Sequence, residues 1–279
     1  MSDSGQQTDQ PLVDLTRPSP PAAYLAEVWR RRDFAILVPV QDLRAQNMGS
    51  ALGQLWHLLN PALMVAVYFL IFGVIIDTSR GVDNFLGFLI VGVVWFHLTQ
   101  RVVQDAAVCI PRNLGLIRSV QFPRILLPAA TVNGQTAAFA PALVLALAAV
   151  VATGERPSLR WLALIGVLAA QFVFHFGAAL LVARIGAAVP DLRQLLPHVF
   201  RLLFYASGVI FSVDAFVTSE SWRRAFALNP IYDVITCARW CLLGEPVDPW
   251  VVAGMLVWGV VLLVVGFAVF WRTDQRLGA

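Results

Sequence analysis

Lysine is absent from this 279-residue chain; all twenty basic side chains are arginine. A P-loop needs a lysine to reach the β- and γ-phosphates of a nucleotide. The chain therefore cannot be a P-loop ATPase, and lysine Schiff-base chemistry is closed to it as well. Charge of either sign is scarce: 13% of residues are charged and 58% are hydrophobic, against about 25% charged in a soluble domain. Much of the surface is expected to face lipid. With a net charge of +3 and no long basic run, nothing suggests a nucleic-acid partner. Only three cysteines occur, Cys109, Cys237 and Cys241, an odd number without a secretory framework. Cys237 and Cys241 share a helix face, but no histidine pair accompanies them, so they read as packing residues and no metal site is expected. His57, His97, His175 and His198 are scattered, and no GxSxG elbow is present.

Acidic groups are missing from the places ion coupling would need them. The intervals 45–76, 84–100, 125–154, 161–183 and 249–271 contain no Asp, Glu or Arg. A helix needs about 20 apolar residues to cross the hydrocarbon core. These intervals, with a sixth around Arg201, predict an all-α integral membrane protein with six transmembrane helices, over about 57–77, 84–105, 125–152, 160–183, 195–213 and 249–271. Asp105 follows Arg101 by four residues, a spacing that suits an intrahelical ion pair. The apolar stretch 225–244 is broken by Pro230, Asp233 and Arg239 and reads as a re-entrant outer segment before the last span. Residues 1–20, rich in Gln, Asp, Ser and Pro, read as a disordered cytoplasmic tail without the pattern of a secretory signal. Residues 21–40 read as an interfacial amphipathic helix, with Tyr24, Leu25, Val28, Trp29 and Ile36 on its apolar stripe.

Arginine sets the orientation. With the N-terminus inside, twelve arginines fall in inner segments and six in outer ones, which predicts both termini in the cytoplasm. Trp56, Trp95, Trp161, Trp250 and Trp271 lie near predicted span ends, as an aromatic belt would. In the inner loop after span two, Pro111 and Pro123 bracket a segment fit for a short helix. A short amphipathic helix there suits a groove on a partner protein, and it equally suits a membrane-surface loop. Asp77 and Asp83, in the first outer loop, are the only external carboxylates weighed as a catalytic base, for a membrane glycosyltransferase.

Several strings, taken in order, resemble the ABC-2 type permeases, in particular the bacterial exporters of polysaccharides and lipid-linked glycans such as O-antigen and teichoic acid. They are Val28-Trp29-Arg30-Arg31-Arg32-Asp33, Gln41-Asp42-Leu43-Arg44, Ser50 to Pro61, Phe88 to Phe96, Asn113 to Arg118, Phe122-Pro123-Arg124, Asp191-Leu192-Arg193, and Asn229-Pro230 with Arg239. The likeness covers about residues 25–272. Where the family has Ser-Pro at the end of span five, this chain has Ser207-Gly208, and its segment Ala45-Gln46-Asn47-Met48 is neutral.

The resemblance implies a division of labour. Two copies of the chain form a passage at their interface in the bacterial inner membrane. Two copies of a separate ABC ATPase bind ATP and Mg²⁺, so this chain needs no cofactor. Coupling to the ATPase falls on Pro111, Arg112, Asn113, Leu116 and Arg118. The entrance for a lipid-linked glycan falls on Trp29, Arg30, Arg31, Arg32 and Arg44, whose charge attracts a diphosphate. Aromatic faces suit sugar rings, which makes Tyr68, Phe69, Phe72, Phe85, Phe88, Phe204, Tyr205 and Phe211 the candidate channel lining. An ABC-2 exporter of drugs or small lipids is the nearest alternative.

Overall fold

The computed structural model describes residues 20–33, 35, 56–76, 81–120 and 122–274. The predicted tail, Arg44, Ile36 and Asp77 fall outside them. In chain order the elements are α1 (Pro21–Arg30), α2 (Trp56–Tyr68) continued by a π-helix over Phe69–Ile75, α3 (Phe85–Arg112), α4 (Leu114–Ser119), α5 (Leu126–Ala152), α6 (Arg160–Ala188), α7 (Leu192–Ala206), α8 (Val213–Phe216), α9 (Glu220–Phe226), α10 (Pro230–Leu243) and α11 (Pro249–Asp274). Among the described residues there is no strand. Helices α3, α5, α6 and α11 are long and apolar enough to cross a membrane. The bilayer explains why valines and leucines such as Leu256, Val257, Val260 and Val264 of α11 lie exposed: they meet lipid tails.

The most enclosed of the long helices is α3. Its first turn is capped by Asn84, whose side chain accepts from the Gly87 amide at 2.9 Å. The same side chain donates to Thr153 at 2.8 Å and to Glu155 at 3.1 Å, fixing this end of α3 to the α5–α6 turn. In lipid, helices gain little by hiding apolar surface, so close backbone approach and buried polar pairs hold them together. Both occur here. A Cβ on Gly186 of α6 would lie 2.0 Å from the Ala107 carbonyl of α3, and one on Gly177 would lie 2.3 Å from the Leu263 amide of α11. The polar pair is Thr99 of α3 with His175 of α6, Oγ1 to Nε2 at 3.0 Å, with Gln171 reaching the same hydroxyl at 3.5 Å.

The predicted fifth span, 195–213, is not one helix. Helix α7 has 15 residues, about 22 Å at 1.5 Å each, and it stops at Ala206. Gly208 follows at φ 58°, a left-handed turn that glycine adopts without strain. The carbonyls this break frees are taken by Arg239 of α10, which is 4% exposed. Its guanidinium donates to the carbonyls of Gly208 and Val209, each at 2.8 Å, and to that of Phe88 of α3 from Nε at 3.3 Å and from a terminal nitrogen at 3.2 Å. It also lies over the Phe88 ring, 3.2 Å from the centroid. A Cβ on Gly92 would lie 2.5 Å from this guanidinium, so the glycine makes room for it. Asn229 completes the joint: it caps α10 by accepting from the Ile231 amide at 3.0 Å and donates to the Ala206 carbonyl at 3.1 Å and to Ser207 Oγ at 2.9 Å.

Two further expectations are corrected. Trp95 is fully buried and sits edge-on to Phe139 at 5.6 Å, so it belongs to the core and not to an aromatic belt. The charges of Arg101 and Asp105 do interact along α3, as their spacing allows, but no direct ion pair closes; the hydrogen bond that Asp105 accepts comes from Gln135 of α5.

Replacing Arg239 by Ala strands the buried carbonyls of Gly208 and Val209 and is expected to cost about 3–5 kcal/mol, lowering the melting temperature of the detergent-purified protein by about 10 °C. Arg239→Lys, which keeps the charge but not the fork, should fall between. Gly177→Leu should destabilise by about 3 kcal/mol or more, while Gly166→Leu, with nothing within 4 Å of its Cβ position, should melt with the parent protein.

Candidate functional site

The bundle has two unlike poles. At the end of α3 that carries Asn84 lie the acids Asp83, Glu155, Asp214 and Glu245. Burial raises the pKa of Glu245 above the ordinary carboxylate range, the Arg239 charge opposes that rise, and Asp83, Asp214 and Glu155 add to it. The opposite pole collects arginines: Arg112 ends α3, Arg118 ends α4, and Arg272 lies in the last turn of α11.

At the arginine pole the bracketed inner loop forms α4, six residues long. Asn113 ends α3 by donating from its side chain to the Cys109 carbonyl at 2.8 Å, which turns the chain into α4. Pro111, Arg112 and Arg118 line a cleft of about 940 Å³, together with Arg124, with Arg184 of α6 and with Arg193 of α7. Leu116 is half-buried, and Leu114, 45% exposed, leaves an apolar contact surface beside the cations. The predicted coupling residues Pro111, Arg112, Asn113, Leu116 and Arg118 thus fall on one continuous elbow. Underneath, Tyr24, Cys109, Ile110, Ile125, Leu127, Leu180, Ala183 and Phe270 form a separate small core that ties α1, α3, α5, α6 and α11 together at this end.

Helix α1 anchors there through Tyr24, which packs on Phe267 with ring centroids 6.5 Å apart. The predicted stripe divides: Tyr24 is buried, whereas Leu25 and Trp29 are 49% and 69% exposed. Arg31 and Arg30 approach Glu27 at 3.2 and 3.9 Å, and Arg32 lies over the Trp29 ring at 4.8 Å.

The eight predicted lining aromatics separate into two groups. Phe85, Phe88 and Phe204 are buried in the protomer's own core. There Phe85 stacks on Phe88, and Phe204 stacks on Tyr68 at 5.0 Å and meets Phe96 edge-on at 5.0 Å. Their neighbours use them as packing within the protomer. Tyr68, Phe69, Phe72 and Phe211 are half-buried and Tyr205 is 49% exposed.

Sequence reasoning missed a second polar surface. His97, Gln100, Arg101, Gln104 and Asp105 are all half-buried, and helical periodicity places them across α3 from Thr99 and Ala106. His97 Nδ1 and Gln100 Oε1 are 3.0 Å apart. The i, i+3, i+4, i+7 spacing of polar residues in an otherwise apolar span was the available signal, since such groups face a bundle interior, a partner or water rather than lipid. Asp83, the catalytic alternative, is an exposed loop residue. Among the described residues no cluster of three His, Cys, Asp or Glu side chains could hold a metal ion, and the three cysteines are free and buried.

This architecture can be set beside known proteins. Residues 41–243 match the ABC-2 type transporter family. The chain is 24% identical over 245 residues to the O-antigen export system permease protein RfbA of Klebsiella pneumoniae, covering 88% of this chain and 93% of that protein. With RfbA of Myxococcus xanthus the identity is 28% over 213 residues, 75% of this chain and 80% of the relative. With the polysialic acid transport protein KpsM of Escherichia coli it is 21% over 240 residues, 85% and 92%. A family match over most of the chain, on an all-helical bundle with four long apolar helices, identifies this protein as a member of the ABC-2 type transporter family.

Proposed function

We propose that this chain is the permease subunit of an exporter that moves a lipid-linked or polymeric glycan out of the cytoplasm, on energy supplied by a separate ATPase. The observation that carries the reading is near full-length similarity to O-antigen and polysialic acid export permeases. The absence of any lysine, and so of a P-loop, from the chain accords with it.

In this reading the arginine pole faces the cytoplasm, as the positive-inside rule favours. Both termini then lie inside; α2 with its π-helix, α3, α5, α6 and α11 make five crossings, and α7 together with the turn that follows it makes the remaining one. Helix α10 is re-entrant at the outer side. Its contacts support this: Arg239 meets Phe88 in the first turns of α3, and Asp233 Oδ2 would be 2.5 Å from a Cβ on Gly254 near the start of α11. Gly244, which ends α10, lies against Arg160, which begins α6. All of these belong to the same pole.

Two copies of the chain enclose the passage, and two ATPase subunits holding ATP and Mg²⁺ dock beneath α4. The diphosphate of the cargo enters beside α1, where Arg30, Arg31 and Arg32 concentrate positive charge. Tyr68, Phe69, Phe72, Tyr205 and Phe211, with the polar face of α3, offer sugar rings stacking surfaces and hydrogen bonds along the way.

Depletion of the chain should cause one lipid-linked glycan to accumulate on the cytoplasmic side, read by extraction and mass spectrometry; drug sensitivity with unchanged envelope glycans would assign a drug or small-lipid exporter instead. Charge reversal at Arg112 and Arg118 together should reduce ATPase co-purification, or leave ATP hydrolysis running with transport down by about tenfold or more, as expected for loss of close interfacial charge pairs. Normal transport and normal co-purification in that double variant would overturn the docking role of α4.

A further inference from the structure

Helix α7 has three faces, where a helix at the edge of a bundle in lipid needs two. At 3.6 residues per turn, Leu196, Phe200 and Phe204 fall on one line and are buried against the bundle. Leu195, Val199 and Leu202 fall on a second line, exposed and apolar, as contact with lipid requires. The third line is polar: Gln194, His198, Arg201 and Tyr205, spaced by four, three and four residues and all exposed. Helix α7 starts at the arginine pole, where Arg193 borders the cleft. Arg201 stands about 14 Å along it, near the middle of a hydrocarbon core of about 30 Å. Among the described residues neither Arg201 nor His198 forms an ion pair or a side-chain hydrogen bond. An unpaired guanidinium at that depth faces a partner or water, not lipid.

The outer end of the stripe joins the aromatic surface given to the passage. Phe204 contacts Tyr68 of α2 at 5.0 Å and Tyr205 at 5.7 Å. Sugar rings need stacking faces and neutral hydrogen-bond partners, not an uncompensated charge. A phosphate does need one: its oxygens match the guanidinium fork in pairs, and a cation between low-dielectric walls draws anions toward it.

We propose that Arg201, with His198 beside it, is an anion station midway along the passage, and that it receives the phosphate group of the cargo as that group crosses. The inference rests on the proposed function and deepens it: the charged part of the cargo travels through the protein, from the arginines of α1 to a guanidinium at mid-depth.

The test uses the full-length chain in its native membrane, with single cysteines introduced on α7 and probed by an anionic and a cationic methanethiosulfonate. The native cysteines, all buried, set the background. Gln194→Cys and His198→Cys should react, whereas Leu195→Cys and Leu202→Cys, on the lipid line, should not. At His198→Cys the anionic reagent should react faster than the cationic one. Adding Arg201→Gln should lower that preference by about tenfold, and Arg201→Lys should keep most of it. Arg201→Gln should also slow glycan export by about tenfold, with Arg201→Lys restoring it; an unchanged melting temperature in both variants shows that the fold is intact. Reaction on the lipid line alone, or no charge preference at His198→Cys, overturns the proposal. So does an unreactive His198→Cys that forms a disulfide with a second copy, which would make the stripe a contact between copies. Lost preference with export intact assigns the site to a free anion and overturns it as well. If depletion of the chain causes no glycan to accumulate, the proposed function fails by itself, while the labelling pattern still decides whether α7 lines an anion-attracting passage.

Discussion

A guanidinium sealed away from water must find acceptors for its N–H groups, and Arg239 finds them in main-chain carbonyls, two of which no helix is using. Two come from Gly208 and Val209, just past the end of α7, and the third from Phe88 near the start of α3. The exchange is mutual. The break after Ala206 would leave buried carbonyls without donors, and the charge of Arg239 would be intolerable at this depth without them. Three segments far apart in sequence are joined by one side chain, and Asn229 reinforces the joint from the first turn of the same helix. The short α7, the inward placement of α10 and the glycine at position 92 all follow from that one requirement.

From this joint α3 continues without interruption to Arg112, 28 residues or about 42 Å, where Asn113 turns the chain into α4. The helix that supplies Phe88 to the buried arginine is thus the helix that ends at the proposed ATPase contact. Its packing along the way is unyielding: Gly186 seats directly on the Ala107 carbonyl, and Thr99 and His175 lock the register against α6.

How legible this was differs by feature. The apolar runs were readable because a bilayer demands about twenty of them in a row, and α3, α5, α6 and α11 begin and end within a few residues of the charge-free intervals, apart from the longer inner ends of α3 and α6. The α4 elbow was readable from Pro111 and Pro123. The roles of single side chains were far less so. Phe88 and Tyr205 look alike as aromatic residues in apolar strings, yet one supports a buried arginine and the other faces outward. Arg239 stood out only as a break in an apolar stretch and as part of the family resemblance, whereas its burial makes it the central contact of the pole that carries Asn84. Asp105 interacts with Arg101 at the expected spacing, yet its hydrogen bond comes from Gln135, thirty positions away.

The sequence by itself determined the solvent. Its composition and charge-free intervals place helices in lipid, and the lack of lysine denies the chain an ATPase site of its own. It also marked which pole carries more of the arginines, since those residues cluster at predicted helix ends. Only the tertiary structure decided where the fifth helix stops, which aromatic side chains are core, and that Arg112, Arg118, Arg184 and Arg193 surround one cleft. The reason is physical. Burial in a bilayer is a property of a run of residues and can be summed along the chain, whereas satisfaction of a buried charge or carbonyl depends on partners that only packing brings within 3 Å.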